Sequence, residues 1–120
     1  MTRKKILVLD DSKEILEGMK MFLELKDYDV KTQNHVNNIF EEINLFSPDL
    51  IFLDIFLNNH DGREICRKIK QSVPGKPPKI ILFSAAGHAL EDFRHFGADD
   101  CLEKPFGLLD VYSKIEMVLD

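Results

Sequence analysis

Cysteine is scarce in this chain of 120 residues, and positive charge is outweighed. The two cysteines, Cys66 and Cys101, stand in separate apolar contexts with no metal-ligand spacing, so neither a zinc site nor a disulfide framework is indicated. A reducing cytoplasm is the expected compartment. Sixteen Lys and Arg face 21 Asp and Glu, for a net charge of -5. A general nucleic-acid or membrane-surface binder wants a basic patch, so direct contact with either is not expected. No apolar run approaches the roughly 20 residues of a membrane span. The start "MTRKKILVLDD" also lacks a signal-peptide cleavage pattern. Internal repeats, low-complexity tracts and linkers are missing too. What remains has 44% hydrophobic and 31% charged residues, the composition of a soluble globular domain. Its length suffices for one core, and residues 1–120 are expected to form one domain with no output domain attached.

What the sequence does have is a hydrophobic period that switches repeatedly between two modes. Short continuous runs, Ile6–Leu9, Leu50–Leu53 and Ile80–Phe83, read as strands buried on both faces. Tyr28–Thr32 alternates as an edge strand would, and Cys101–Leu102 sits in a short fifth candidate. Between them lie helical stripes: Ile15, Leu16, Met19, Phe22 and Leu23; Ile39, Phe40 and Ile43; Ile65, Cys66 and Ile69; and Leu108, Val111, Tyr112, Ile115, Val118 and Leu119. A fourth helix is expected between the last two stripes, with Leu90 and Phe93 on its core side. "VPGKPPK" (73–79) holds three prolines and reads as a loop. Five strands alternating with five helices imply an α/β fold, a doubly wound five-stranded parallel sheet covered on both faces. Ligands in such sheets bind beyond the carboxyl ends of the strands.

The residues standing there are Asp10 and Asp11 after the first strand, Asp54 after the third, Ser84 after the fourth and Lys104 after the fifth. With strand order 2-1-3-4-5, strands one and three are neighbours about 4.8 Å apart. Three carboxylates then converge, and their repulsion is unfavourable unless a cation sits between them. Mg²⁺ suits the arrangement, since it takes oxygen ligands and usually needs few carboxylates beside a phosphate oxygen. Lys104 and Ser84 add a cation and a hydroxyl fitted to phosphoryl oxygens. Each residue also has a plain structural role. Asp11 and Glu14 fit a helix capping box, Ser84 could cap the fourth helix, and Lys104 alone would be an exposed lysine. Those roles leave unexplained why all of them stand at the same ends of four strands.

The stretches "ILVLDDS", "PDLIFLDIFLNNHDG", "IILFSA" and "GADDCLEKPF", in this order and spacing, make the chain resemble the receiver domain of two-component response regulators over essentially its whole length. The resemblance implies a flavodoxin-like fold and a signalling module that catalyses its own phosphorylation and dephosphorylation without turnover on a free substrate. It implies Asp54 as phosphoacceptor, Asp11 as direct Mg²⁺ ligand, Asp10 acting mainly through a bound water, and the backbone carbonyl of Phe56 as a further ligand. Ser84 would hydrogen-bond the phosphoryl group and Lys104 would pair with it. A cis peptide is implied between Lys104 and Pro105. Partners would be a histidine kinase or histidine phosphotransfer protein, and a downstream protein target.

Three positions depart from the family. Cys101 occupies the switch position where Tyr or Phe is usual, and a small buried thiol cannot perform a ring's swing. Ser84 to Gly97 is shorter than usual, so the fourth helix should be short or start late. Asn58 stands where Pro is common, whereas Asp61 and Gly62 keep the entry to the third helix. His60 and His88 fall near the site's rim and read as solvated loop residues. A phosphorylation-independent interaction module is the alternative reading. An aspartyl-phosphate phosphatase would want a second acid where Phe56 stands, and a flavin site would want a Gly-rich loop where "DDSKE" stands.

Overall fold

In the computed structural model, which describes residues 3–73 and 75–119, the five apolar runs form one parallel sheet. Pro74, inside the expected loop 73–79, lies outside the described residues. The sheet strands are β1 (Lys5–Leu9), β2 (Asp29–Gln33), β3 (Leu50–Asp54), β6 (Lys79–Ser84) and β7 (Asp100–Glu103). A small antiparallel hairpin, β4 (Phe56–Leu57) with β5 (His60–Asp61), stands outside the sheet. The sheet order is β2-β1-β3-β6-β7, which is the expected 2-1-3-4-5 once the hairpin is set aside.

Every residue of β3 is buried, as a central strand covered on both faces requires. Successive side chains alternate between two cores. Leu7, Leu9, Ile51, Leu53, Ile80 and Leu82 face α2 (Ile39–Phe46) and α3 (Gly62–Ser72). Ile6, Val8, Leu50, Phe52, Ile81 and Phe83 face α1 (Lys13–Leu25) and α4 (Leu108–Leu119). The Tyr112 hydroxyl donates to the Phe22 carbonyl at 2.6 Å and ties α4 to α1.

Two expectations need correction. The chain has four α-helices among the described residues, because the segment expected as the fourth helix forms two separate 3-10 turns, Gly87–Leu90 and Phe93–Phe96. Leu90 and Phe93 do face the core, but Leu90, Phe93 and Phe96 recur every three residues, the period of a 3-10 helix. Secondly, α1 is capped by Ser12 rather than Asp11: the Ser12 hydroxyl accepts the Ile15 N–H at 3.3 Å.

Candidate phosphoacceptor site

The parallel register builds the site. Leu9 pairs with Leu53, so Asp10 and Asp54 follow as neighbours on the face of α1 and α4. The Asp10 N–H donates to the Gln33 carbonyl at 3.2 Å, holding it in line with the sheet. Its carboxylate is fully buried, accepting the Ser12 N–H on Oδ1 at 2.8 Å and the Lys104 ammonium on Oδ2 at 2.7 Å. Asp11 is exposed, and with Ser12 serving as cap its carboxylate is not tied to the helix end. Asp54 is 4% exposed. Its Oδ1 accepts the Phe56 N–H at 3.3 Å, and its Oδ2 lies 3.6 Å from the Lys104 nitrogen.

Lys104 enters from β7, whose register with β6 lets its N–H donate to the Ser84 carbonyl at 2.8 Å. Its ammonium also lies 4.8 Å from the Phe83 ring centroid, over an apolar wall. The Lys104–Pro105 peptide is cis. On the other side, α3 begins hard against β3. The Gly62 N–H donates to the Ile55 carbonyl at 2.6 Å, and a Cβ at Gly62 would collide with the Asp54 carbonyl oxygen. Only glycine fits this approach.

Burial pushes the Asp54 carboxyl up to about 6, and repulsion from Asp10 adds to the effect. Attraction to Lys104 and the Phe56 N–H offset part of it, and Asp11 adds a smaller repulsion. Asp10, Asp11 and Asp54 each offer a carboxylate oxygen within 4.8 Å of the others. An all-oxygen, acidic set of this kind fits a hard divalent cation and is unsuited to metals that want sulfur or imidazole.

Asp10, Asp11, Asp54 and Lys104 are thus brought together. Ser84 stands one residue beyond the partner of Asp54, and its hydroxyl accepts the Ala86 N–H at 3.1 Å without a hydrogen bond to Asp54. The Phe56 ring is 53% exposed beside the site. Cys101 packs partly against the α2 and α3 core, and burial raises its thiol above the ordinary range. His60 and His88 are exposed.

Asp61 stands at the entry to the third helix, as the sequence suggested, but its pairing with Arg63 was missed. Asp61 caps α3 through the Arg63 N–H at 2.9 Å and binds the Arg63 guanidinium through both carboxylate oxygens. The signal was the acid immediately before Gly62, two residues from an arginine. Another missed contact is the turn residue Asn58, at φ 56, whose side-chain amide donates to the Asn34 carbonyl at 3.2 Å.

The chain is similar to known proteins in sequence and in fold. The chain is 36% identical over 115 residues to the nisin biosynthesis regulatory protein NisR of Lactococcus lactis subsp. lactis, covering 93% of this chain and 48% of that protein. It is 32% identical over 118 residues to the alkaline phosphatase synthesis transcriptional regulatory protein PhoP of Bacillus subtilis (strain 168), covering 97% and 48%. The chain therefore spans about half the length of these two relatives. A CheY-like response regulator receiver domain protein from Methanospirillum hungatei JF-1 has the same fold at a TM-score of 0.87. That match is 29% identical and covers 99% of this chain and 95% of that one. The pattern of the response regulator receiver domain runs through residues 6–116, from β1 into α4, and the chain belongs to that family.

Proposed function

We propose that this chain is a phosphoacceptor receiver, in which Asp54 accepts a phosphoryl group from a histidine kinase or histidine phosphotransfer protein and so alters contacts with a downstream protein. Residues 1–120 are read as one receiver unit working in the cytoplasm, without direct contact to nucleic acid or membrane; the net charge of -5 supports this. The observation that carries the reading is the buried Asp54 carboxylate at the end of the central strand, beside the Lys104–Asp10 pair.

In the transfer, a carboxylate oxygen of Asp54 forms the new bond to phosphorus as the bond from phosphorus to the donor's imidazole nitrogen breaks. The imidazole leaves with the bonding electron pair and takes up a proton. Asp54 must be ionised to attack, and a group titrating at about 6 is mostly ionised at neutral pH. Lys104 lies close enough to Asp54 to pair with the phosphoryl oxygens, and the Ser84 hydroxyl, which accepts the Ala86 N–H, still has its own proton to donate to them. A bound Mg²⁺, held by Asp10, Asp11, Asp54 and the Phe56 carbonyl, would supply positive charge against those oxygens. Burial of Asp54 restricts the water that would otherwise hydrolyse the acyl phosphate.

Intact mass after incubation with acetyl phosphate tests this. One phosphoryl adduct is expected, only with Mg²⁺ and only when Asp54 is present. An adduct that persists in Asp54→Ala overturns the assignment. The second reading, a phosphorylation-independent interaction module, is favoured by the two short 3-10 turns and by Cys101. It would take over if neither acetyl phosphate nor beryllofluoride bound.

A further inference from the structure

We propose that a groove across the end of the sheet opposite Asp54 binds an extended peptide segment of a protein partner, one in which an apolar residue is followed by acidic ones. The groove does not depend on the phosphoacceptor reading. Asp49 precedes β3 and Asp54 ends it, so about 16 Å of strand separates the two places.

Two helices stop close together here. α2 is capped by Ser47, in the left-handed region at φ 52, and α3 by Val73, which is extended. Three contiguous hollows open along these caps. The first, of about 330 Å³, lies between Phe40 and Ile43 of α2 and Val73 at the end of α3. The second, of about 320 Å³, shares Ile43 and Val73 with it and runs on to Pro48 and Lys76. The third, of about 150 Å³, shares Pro48 and Lys76 with the second and ends among Lys4, Lys79 and Leu119 of α4. Shared walls make the three one channel. Pro48, Pro77 and Pro78 line its last part. Proline has a fixed φ and no N–H to satisfy, so this wall is apolar and already shaped for a guest.

The two ends differ in chemistry. At the α2 end the Phe40 ring is 44% exposed beside buried Ile39 and Ile43, and Glu41 is the charged group there. The other end carries Lys4, Lys76 and Lys79 against Asp49. Asp49 already accepts the Lys5 N–H on Oδ2 at 2.8 Å. Lys79 shares Asp99 with Lys70, at 3.7 Å against 2.7 Å. Among the described residues, the Lys4 and Lys76 ammonium groups have no hydrogen bond or ion pair. A chain of net charge -5 thus gathers unneutralised positive charge beside an open apolar hollow. Carboxylates complement the first feature and an aliphatic or aromatic side chain the second. A channel of this form admits a single extended chain. A membrane surface cannot enter it, and a nucleic acid would leave the apolar end uncovered.

A display library of random peptides, selected on the full chain, tests this. Selected peptides are expected to share an apolar residue followed by acidic ones. By fluorescence anisotropy they should bind the Lys4→Glu/Lys76→Glu double variant about tenfold more weakly, through reversal of two exposed charges. Phe40→Ser should cost about tenfold as well, through the lost apolar contact. Raising salt from about 0.05 to about 0.5 M should weaken the wild type by a similar factor and change the double variant little. Selection of no peptide, selection of peptides without acidic residues, or equal affinity in the wild type and both variants overturns the proposal. So does a wild type that sediments as a dimer dissociated by Lys4→Glu/Lys76→Glu, which gives the groove to a second copy. Binding of anionic vesicles through these lysines, with no peptide taken, overturns it too. The acetyl-phosphate adduct is expected to form in the double variant as in the wild type, so failure of the groove and failure of the phosphoacceptor site are told apart.

Discussion

Replacing Asp54 by Asn should stabilise the metal-free protein, and the gain should grow with pH. Folding raises this carboxyl from 3.8 to about 6, chiefly by burial and then by the charge of Asp10. Because the folded value lies above the unfolded one, the carboxyl favours folding fully only below about pH 4 and loses that contribution as pH rises through about 6. At about pH 7.5 the accumulated cost approaches the whole shift, about 3 kcal/mol at 1.36 kcal/mol per unit, and at about pH 5 it is near half of that. Asn has nearly the same shape and carries none of this charge-dependent cost. The attraction of Lys104 is already contained in that shift, so about 3 kcal/mol is the expected gain at neutral pH. Urea unfolding followed by circular dichroism, in chelator, should show a midpoint raised by roughly 1 M at about pH 7.5 and by about half as much at pH 5. Equal gains at both pH values, or a less stable Asn variant at neutral pH, would refute the electrostatic account. Adding Mg²⁺ should narrow the gap by stabilising the wild type through mass action.

Two further substitutions probe neighbouring parts. Lys104→Met leaves fully buried Asp10 without its cation, so neutral-pH stability should fall by about 3 kcal/mol and recover with a divalent cation. The same change should move the Asp54 carboxyl above about 6, since Lys104 holds it down, and a carbon-detected NMR titration would read the shift. Gly62→Ala places a methyl against the Asp54 carbonyl and the Ile55 backbone, atoms that cannot rotate aside. A loss of about 3 kcal/mol is expected from this overpacking, with the acetyl-phosphate adduct reduced because Asp54 itself is displaced. A melting temperature and intact mass unchanged from the wild type would contradict that close approach.

The sheet and the strand-end residues were legible because a buried parallel strand writes itself as a continuous apolar run. The first polar residue after such a run marks where the strand leaves the core, as at Asp10, Asp54 and Ser84. The segment after Ser84 was harder to read. Leu90 and Phe93 are three apart, a spacing shared by α and 3-10 helices, and only the inclusion of Phe96 exposes the period of three. The cap of α1 was misread by one residue because Asp11 and Ser12 are both good caps and Glu14 lies three beyond Asp11. The grip of Arg63 and Arg67 on Phe96 was invisible for another reason. It joins residues about thirty apart whose meeting depends on how α3 and the second 3-10 turn pack, which no local pattern encodes.

That Lys104 lies nearer to Asp10 than to Asp54 is the key to the site's balance. Asp10 is the more deeply buried acid, with no exposed surface, so it carries the larger cost of an unpaired charge and takes the ammonium at 2.7 Å. Asp54 is left at 3.6 Å with one backbone N–H as its nearest support, and its affinity for a proton rises accordingly. With three carboxylates and one ammonium, the cluster is short of positive charge when every acid is ionised. The least compensated of its buried carboxylates is the one at the end of the central strand. A carboxylate in that condition gains from any added cation, and is a stronger nucleophile than one already saturated with hydrogen bonds. The register that sets Asp10 beside Asp54 and the burial that awards Lys104 to Asp10 therefore together leave Asp54 the less compensated of the two buried acids, which supports its proposed role as phosphoacceptor.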